Sequence, residues 1–184
     1  MSHNLWQGEK VRLRAVEPGD WQAFHAFDEA DTEMARLGWR APFPRSAERA
    51  RRWAEEAAAA EPKDDNYRLA IENREGEVVG MINTHGCDAR SGIFEYGIAL
   101  GPQHRRKGYA REAVTLLLHY FFGELRYQKC NVLVYAFNEA SIRLHEQLGF
   151  QREGCLRRQV FSHGAYHDAL LFGITAEEFA EKQC

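Results

Sequence analysis

No stretch of this 184-residue chain is apolar for long enough to span a bilayer, since the longest runs, such as Leu116-Leu117-Leu118, stop within a few residues at His119 or a charge. The cysteines Cys87, Cys130, Cys155 and Cys184 lie far apart with no C-x-x-C pair. They read as free thiols of a reducing cytoplasm, not as a disulfide framework. Neither cysteines nor histidines stand at zinc-ligand spacing, so no metal is expected. His3, His25, His85, His104, His119, His163 and His167 show no partner pattern and read as surface or core side chains. Excess positive charge is missing too. The formal net charge is -3 and the basic residues are scattered, which argues against nucleic acid as a partner. Nothing matches a Walker loop or a dinucleotide fingerprint, and no repeat, linker or low-complexity tract stands out beyond Ala57 to Ala60. The opening Met1-Ser2-His3-Asn4 does not read as a signal peptide. The length predicts one domain, residues 1–184, large enough to bury a real core.

Hydrophobic period then divides the chain. Val11 to Ala15 reads as a strand, and Pro18-Gly19-Asp20 as a turn and cap for a helix through Trp21, Phe24 and Phe27. Arg36 to Arg45, with Pro42 and Pro44, reads as a loop, and Ser46 as the cap of a second helix through Trp53 and the alanine tract to Pro62. Tyr67 to Asn73 and Val78 to Cys87 alternate around Arg74-Glu75-Gly76 as a hairpin, followed by a strand from Ser91 to Leu100. Ala110, Ala113, Val114, Leu117, Leu118 and Phe121 form one apolar helix face. A strand at Lys129 to Phe137 follows, and the strand-helix-strand unit should pair its strands in parallel, right-handed. Glu139 to Leu148 is predicted helical with Gly149 as C-cap, before Gln151 to Phe161 and Tyr166 to Thr175 as a closing hairpin around Ser162-His163-Gly164 and a short tail helix.

Between the strand ending at Leu100 and the helix after it lies Arg105-Arg106-Lys107-Gly108-Tyr109-Ala110. Orphan N–H groups and the positive dipole end of that helix favour a phosphate, Gly108 lets the backbone approach closely, and three cations add charge. This Arg-x-x-Gly-x-Ala spacing resembles the pyrophosphate motif of the GNAT superfamily, acyl-coenzyme A N-acyltransferases. Asn138-Glu139-Ala140-Ser141-Ile142-Arg143-Leu144-His145-Glu146-Gln147-Leu148-Gly149-Phe150 resembles the family's second coenzyme-side motif, in the same order along the chain. Val11-Arg12-Leu13-Arg14-Ala15, Phe43-Pro44-Arg45-Ser46 and Gly164-Ala165-Tyr166-His167-Asp168-Ala169 are similar to the branch holding ribosomal-protein and spermidine N-acetyltransferases. The resemblance implies an α/β fold with a mixed, mostly antiparallel sheet of about seven strands and helices on both faces. It implies acetyl-coenzyme A as co-substrate, an amine-bearing small molecule or protein N-terminus as acceptor, and admits a homodimer.

Acyl transfer to an amine needs a base, an oxyanion donor and a proton for the leaving thiolate. On the strand from Ser91, Glu95 shares a face with the small residues Gly97 and Ala99, as if a surface were kept open for a ligand. By resemblance Glu95 is the general base, directly or through water; the plain alternative is a cross-strand ion pair or an edge charge. His145 follows Asn138 by almost two helical turns, so Asn138, Ser141 and His145 share a helix face. Many relatives carry tyrosine at the His145 position as general acid, and this chain departs from them there. Histidine could still protonate a thiolate, and a packed helix-face histidine is the alternative. Asn138 and Ser141 are carried over as coenzyme-binding, although Asn138 also reads as an N-cap. The resemblance places the coenzyme arm along the backbone of Ile98, Ala99 and Leu100, one of whose N–H groups could polarise the thioester. Asp28, Glu29, Asp31 and Glu33 form an acidic run that, with Trp39 and Phe43, family likeness puts over the acceptor pocket; Tyr166 and His163 are weaker candidates. The rival from another class is a coenzyme-binding sensor without turnover.

Overall fold

The computed structural model describes residues 4–38 and 43–183. The alternating stretches become strands β1 (Val11–Ala15), β2 (Arg68–Asn73), β3 (Val78–Asp88), β4 (Ile93–Leu100), β5 (Lys129–Tyr135), β6 (Gln151–Ser162) and β7 (Ala165–Thr175). They form one sheet in the order β1-β2-β3-β4-β5-β7-β6, antiparallel throughout except for the parallel pair β4–β5. The helices are α1 (Trp21–Ala30), α2 (Thr32–Arg36), α3 (Ala47–Ala59), α4 (Tyr109–Gly123), α5 (Glu139–Leu148) and α6 (Ala176–Gln183). The expected α/β architecture is therefore present, with α4 crossing from β4 to its parallel neighbour β5.

Side-chain alternation decides which face each helix covers. Ile71, Val79, Ile82, Phe94, Tyr96 and Val132 point into the larger core with α4, where Phe94 and Phe121 stack at 4.1 Å between ring centroids. Leu148 and Phe179 bring α5 and α6 into that core. On the opposite face Ala70 joins Phe24 and Phe27 of α1, with Trp53 of α3 packed edge-on against Phe24. This second layer centres on β1–β3, so the Glu95 side chain, farther across the same face, is left 45% exposed.

Local details depart from the sequence reading in three places. Asp20 precedes α1 but makes no side-chain cap bond to it. Its carboxylate instead takes a bidentate pair from Arg14, at 2.8 and 2.9 Å, and the Glu17 N–H. Burial pushes the Asp20 carboxyl up, and these donors more than offset it, holding the group below the usual carboxylate range. Glu72, between Arg12 and Arg14, shows the same balance. The short helix α2 stands where the sequence shows only the acidic run and the start of the loop expected from Arg36. Ser46 does cap α3, accepting from Arg49 N–H at 3.2 Å, and α3 ends at Ala59, short of Pro62.

Candidate active site

Parallel pairing between β4 and β5 runs over Ile93↔Lys129, Phe94↔Cys130 and Glu95↔Asn131, and the recorded register ends there. β4 continues to Leu100 against β3, and β5 continues to Tyr135 against β7. The two strands thus splay beyond Glu95. In antiparallel pairing alternate backbone groups face each neighbour, so those of Ile98, Ala99 and Leu100 not turned toward β3 face the gap. Ala99 is exposed and Ile98 and Leu100 pack partly against the core, as the alternation requires.

Glu95 stands at the apex of this splay. His85 lies opposite it on β3, with Nε2 3.5 Å from Glu95 Oε2, and Asn83 lies opposite Gly97. Asn83 Nδ2 and His85 Nδ1 are 3.4 Å apart. Across the gap Asn131 pairs with Glu95, and its amide oxygen is buried with no hydrogen-bond partner among the described residues. Sequence reasoning passed over His85, Asn83 and Asn131. Period two within β3 put His85 and Asn83 on a common face, but only the register sets that face beside Glu95.

His145 is on the other side of the sheet. It is 1% exposed, packed edge-on to Phe150, with Nε2 2.7 Å from the Tyr96 hydroxyl and Nδ1 2.7 Å from the Ser141 carbonyl oxygen. A carbonyl can only accept, so Nδ1 carries the proton and Nε2 of the neutral ring accepts from Tyr96. Burial lowers the imidazole below its ordinary range, outweighing the Ser141 contact, and burial also raises the Tyr96 phenol well above its own. Glu95 and His145 therefore do not meet. They flank the start of the splay from opposite faces, Tyr96 being the first β4 residue beyond the last pair.

The neutral histidine leaves a signature in stability. An imidazole depressed below about 6.5 in the fold takes up its proton more readily in the unfolded chain. Its contribution is thus complete at neutral pH and shrinks as pH falls below about 6.5 toward the folded value, with His104 and His119, also depressed by burial, adding the same sign. His145→Gln removes the titrating ring and offers an amide oxygen to the Tyr96 hydroxyl. Urea midpoints at pH 7 and 5.5 should fall less for this variant than for the parent; an equal fall would mean that His145 is not held neutral.

The residues expected to form a phosphate loop, Arg105 to Ala110, occupy the turn into α4. After a 3-10 turn at Pro102–His104, Arg106 adopts φ +62° and Gly108 φ +85°, and α4 begins at Tyr109, with Ala110 next. Left-handed Gly108 places no side chain over the first N–H groups of α4, which lack partners within their own helix. Arg106, Lys107 and Gly108 are exposed, whereas Arg105 is paired with Asp31 at 2.8 Å. At the other motif, Asn138 Oδ1 accepts from Ser141 N–H at 3.1 Å, capping α5, and Nδ2 donates to the Leu37 carbonyl at 3.0 Å. Gly149, at φ +100°, closes that helix as its C-cap.

The acidic run is largely spent inside the protein. Asp28 pairs with Arg45, Asp31 with Arg105, Glu33 with Arg36 and His163, and Glu29 lies 3.5 Å from His25. Phe43 and Tyr166 are 87% and 58% exposed, the latter beneath Arg158, while Trp39 lies outside the described residues.

Known proteins agree with this architecture. The Acetyltransferase (GNAT) domain family model matches residues 10–151. An uncharacterized N-acetyltransferase, YokL, of SPbeta prophage origin in Bacillus subtilis (strain 168), is 44% identical over 97% of either chain. Spermidine N(1)-acetyltransferase of Vibrio cholerae is 26% identical over 94% of this chain and 97% of its own length. A crystal structure of spermidine N-acetyltransferase from Vibrio cholerae in complex with CoA and spermine shares the fold, with a TM-score of 0.80 at 23% identity over 94% of this chain and 99% of that one. Because the family model spans most of the chain and YokL matches it nearly from end to end, the chain belongs to the GNAT family and is an N-acetyltransferase.

Proposed function

We propose that the protein transfers the acetyl group of acetyl-coenzyme A directly to a primary amine presented on the Glu95 face of the β4–β5 splay. The observation that carries this reading is the end of β4–β5 pairing at Glu95, which frees two strand edges beside a half-exposed carboxylate. The chain's residues fit the coenzyme. An anion can approach the α4 N–H groups over Gly108, where a Cβ would stand in the way, and Arg106 and Lys107 are free to meet it from solvent. In this reading Arg105, already turned to Asp31, steadies the loop, and Tyr109 and Ala110 contribute backbone. Ile98, Ala99 and Leu100 offer edge groups to the coenzyme arm. Asn138 and Ser141 border it through the α5 N-terminus that Asn138 caps.

The chemistry is one substitution at carbon. The amine nitrogen forms the new C–N bond, the C–S bond breaks, Glu95 takes the amine proton directly or through water, and a β4 N–H holds the developing oxyanion, a contact worth on the order of 3 kcal/mol. A neutral His145 whose single N–H faces Ser141 supports water as the immediate proton source for the thiolate. His145 would then act as the positioning residue that aims Tyr96 beneath the splay. A protein N-terminus, a polyamine and a small-molecule amine all fit the chemistry, and the spermidine-acetylating relatives favour testing polyamines first. The internal pairing of Asp28, Asp31 and Glu33 leaves Glu95, Asn83 and Asn131 as the polar groups best placed to meet an ammonium. Thiol release with acetyl-coenzyme A should rise above background with at least one amine in a panel of spermidine, spermine, peptide N-termini and aminoglycosides. Coenzyme binding with no release across the panel would contradict the reading.

A further inference from the structure

Residues 8–11 form a turn gripped from both sides. The Glu112 carboxylate, in the first turn of α4, accepts the N–H groups of Glu9, Lys10 and Val11 at 2.8, 2.7 and 2.6 Å, while Arg74 donates to the carbonyls of Gly8 and Glu9 at 2.7 and 2.8 Å. The Glu112 carboxyl also fills the space where a side chain on Gly8 would lie. This grip aims one side chain at the α4 N-terminus. The ammonium of Lys10 lies 3.5 Å from the Lys107 carbonyl oxygen, and only 2.8 Å from the place a Cβ on Gly108 would take.

That position suits an anion. A cation at the positive end of a helix dipole, next to a loop that carries Arg106 and Lys107, is repelled by that charge, and Lys10 is an exposed side chain whose ammonium is turned to the Lys107 carbonyl. A phosphate bound there would attract each of these positive groups and offset the repulsion among them. We infer that Lys10, its backbone held by Glu112, is a further phosphate-binding residue for the coenzyme, reaching from the first strand's entry into the space over Gly108. The inference rests on the proposed cradle at Arg106–Gly108. The chemistry recognised is a phosphate oxygen, either of the pyrophosphate or of the 3′-phosphate.

Calorimetric titration of the full chain with coenzyme A and with 3′-dephospho-coenzyme A tests this. Lys10→Gln should weaken coenzyme A by about tenfold, less at high salt, while Lys10→Arg retains most of the affinity and the melting temperature stays unchanged. An equal loss with the dephospho form assigns the contact to the pyrophosphate; a loss confined to coenzyme A assigns it to the 3′-phosphate. Parental affinity in Lys10→Gln, when Gly108→Trp no longer binds, overturns the role of Lys10 alone. Parental affinity in both variants overturns the cradle itself.

Discussion

Replacing Gly108 by tryptophan is expected to abolish detectable coenzyme binding, a loss of at least about a hundredfold, while the protein stays folded. The indole would rise over the N–H groups that open α4, where a phosphate must come within hydrogen-bond distance. The cost to the fold is limited. At φ +85° a non-glycine residue is strained by roughly 1–2 kcal/mol. The nearest obstacle to its Cβ is the flexible end of Lys10, which can swing into solvent. Calorimetry with coenzyme A and a thermal melt read the two effects separately. A folded variant with undiminished affinity would remove the cradle. Lost stability with retained affinity would make Gly108 a turn residue only.

Glu95→Gln should lower turnover by roughly a hundredfold to ten-thousandfold at neutral pH, or about 3–5 kcal/mol of barrier, with coenzyme affinity nearly unchanged. The carboxylate sits at the splay but away from the phosphate loop, so the effect should fall on kcat and not on binding. Activity should recover in part at high pH, where more of the acceptor is free amine and needs no base. A variant with parental rates and the same pH dependence would reduce Glu95 to the partner of His85.

Much of the fold could be read from local pattern. β1 begins and ends where alternation predicts, and α5 runs from an asparagine cap to a left-handed glycine, both of which are local signals. What was not legible depends on contacts distant in the chain. α2 is five residues long, too short for a helical period to declare itself. The splay is a property of pairing: nothing in Glu95-Tyr96-Gly97 says that its parallel neighbour turns away. The spacing of Asn138, Ser141 and His145 predicts one helix face, but Tyr96, 49 positions earlier, determines that the imidazole is buried and accepts a hydrogen bond. The acidic run has the look of solvated charge or a cation site, and its pairing with Arg45, Arg105 and His163 comes from loops that only the fold brings near. Lys10 reaches the Lys107 carbonyl from 97 positions away, by a grip whose carboxylate, Glu112, reads locally as an ordinary first-turn acid.

The central claim, direct transfer from thioester to amine at the splay, is tested most directly by an acetyl balance. Labelled acetyl-coenzyme A is turned over with the best acceptor of the panel, and N-acetylated amine, free thiol and intact protein mass are followed together. The account predicts one acetylated amine per thiol released, no acetyl group on the protein at any time, and both products suppressed in parallel by Glu95→Gln. Thiol release without acetylated amine, or a transient acetyl group on the protein, would contradict it.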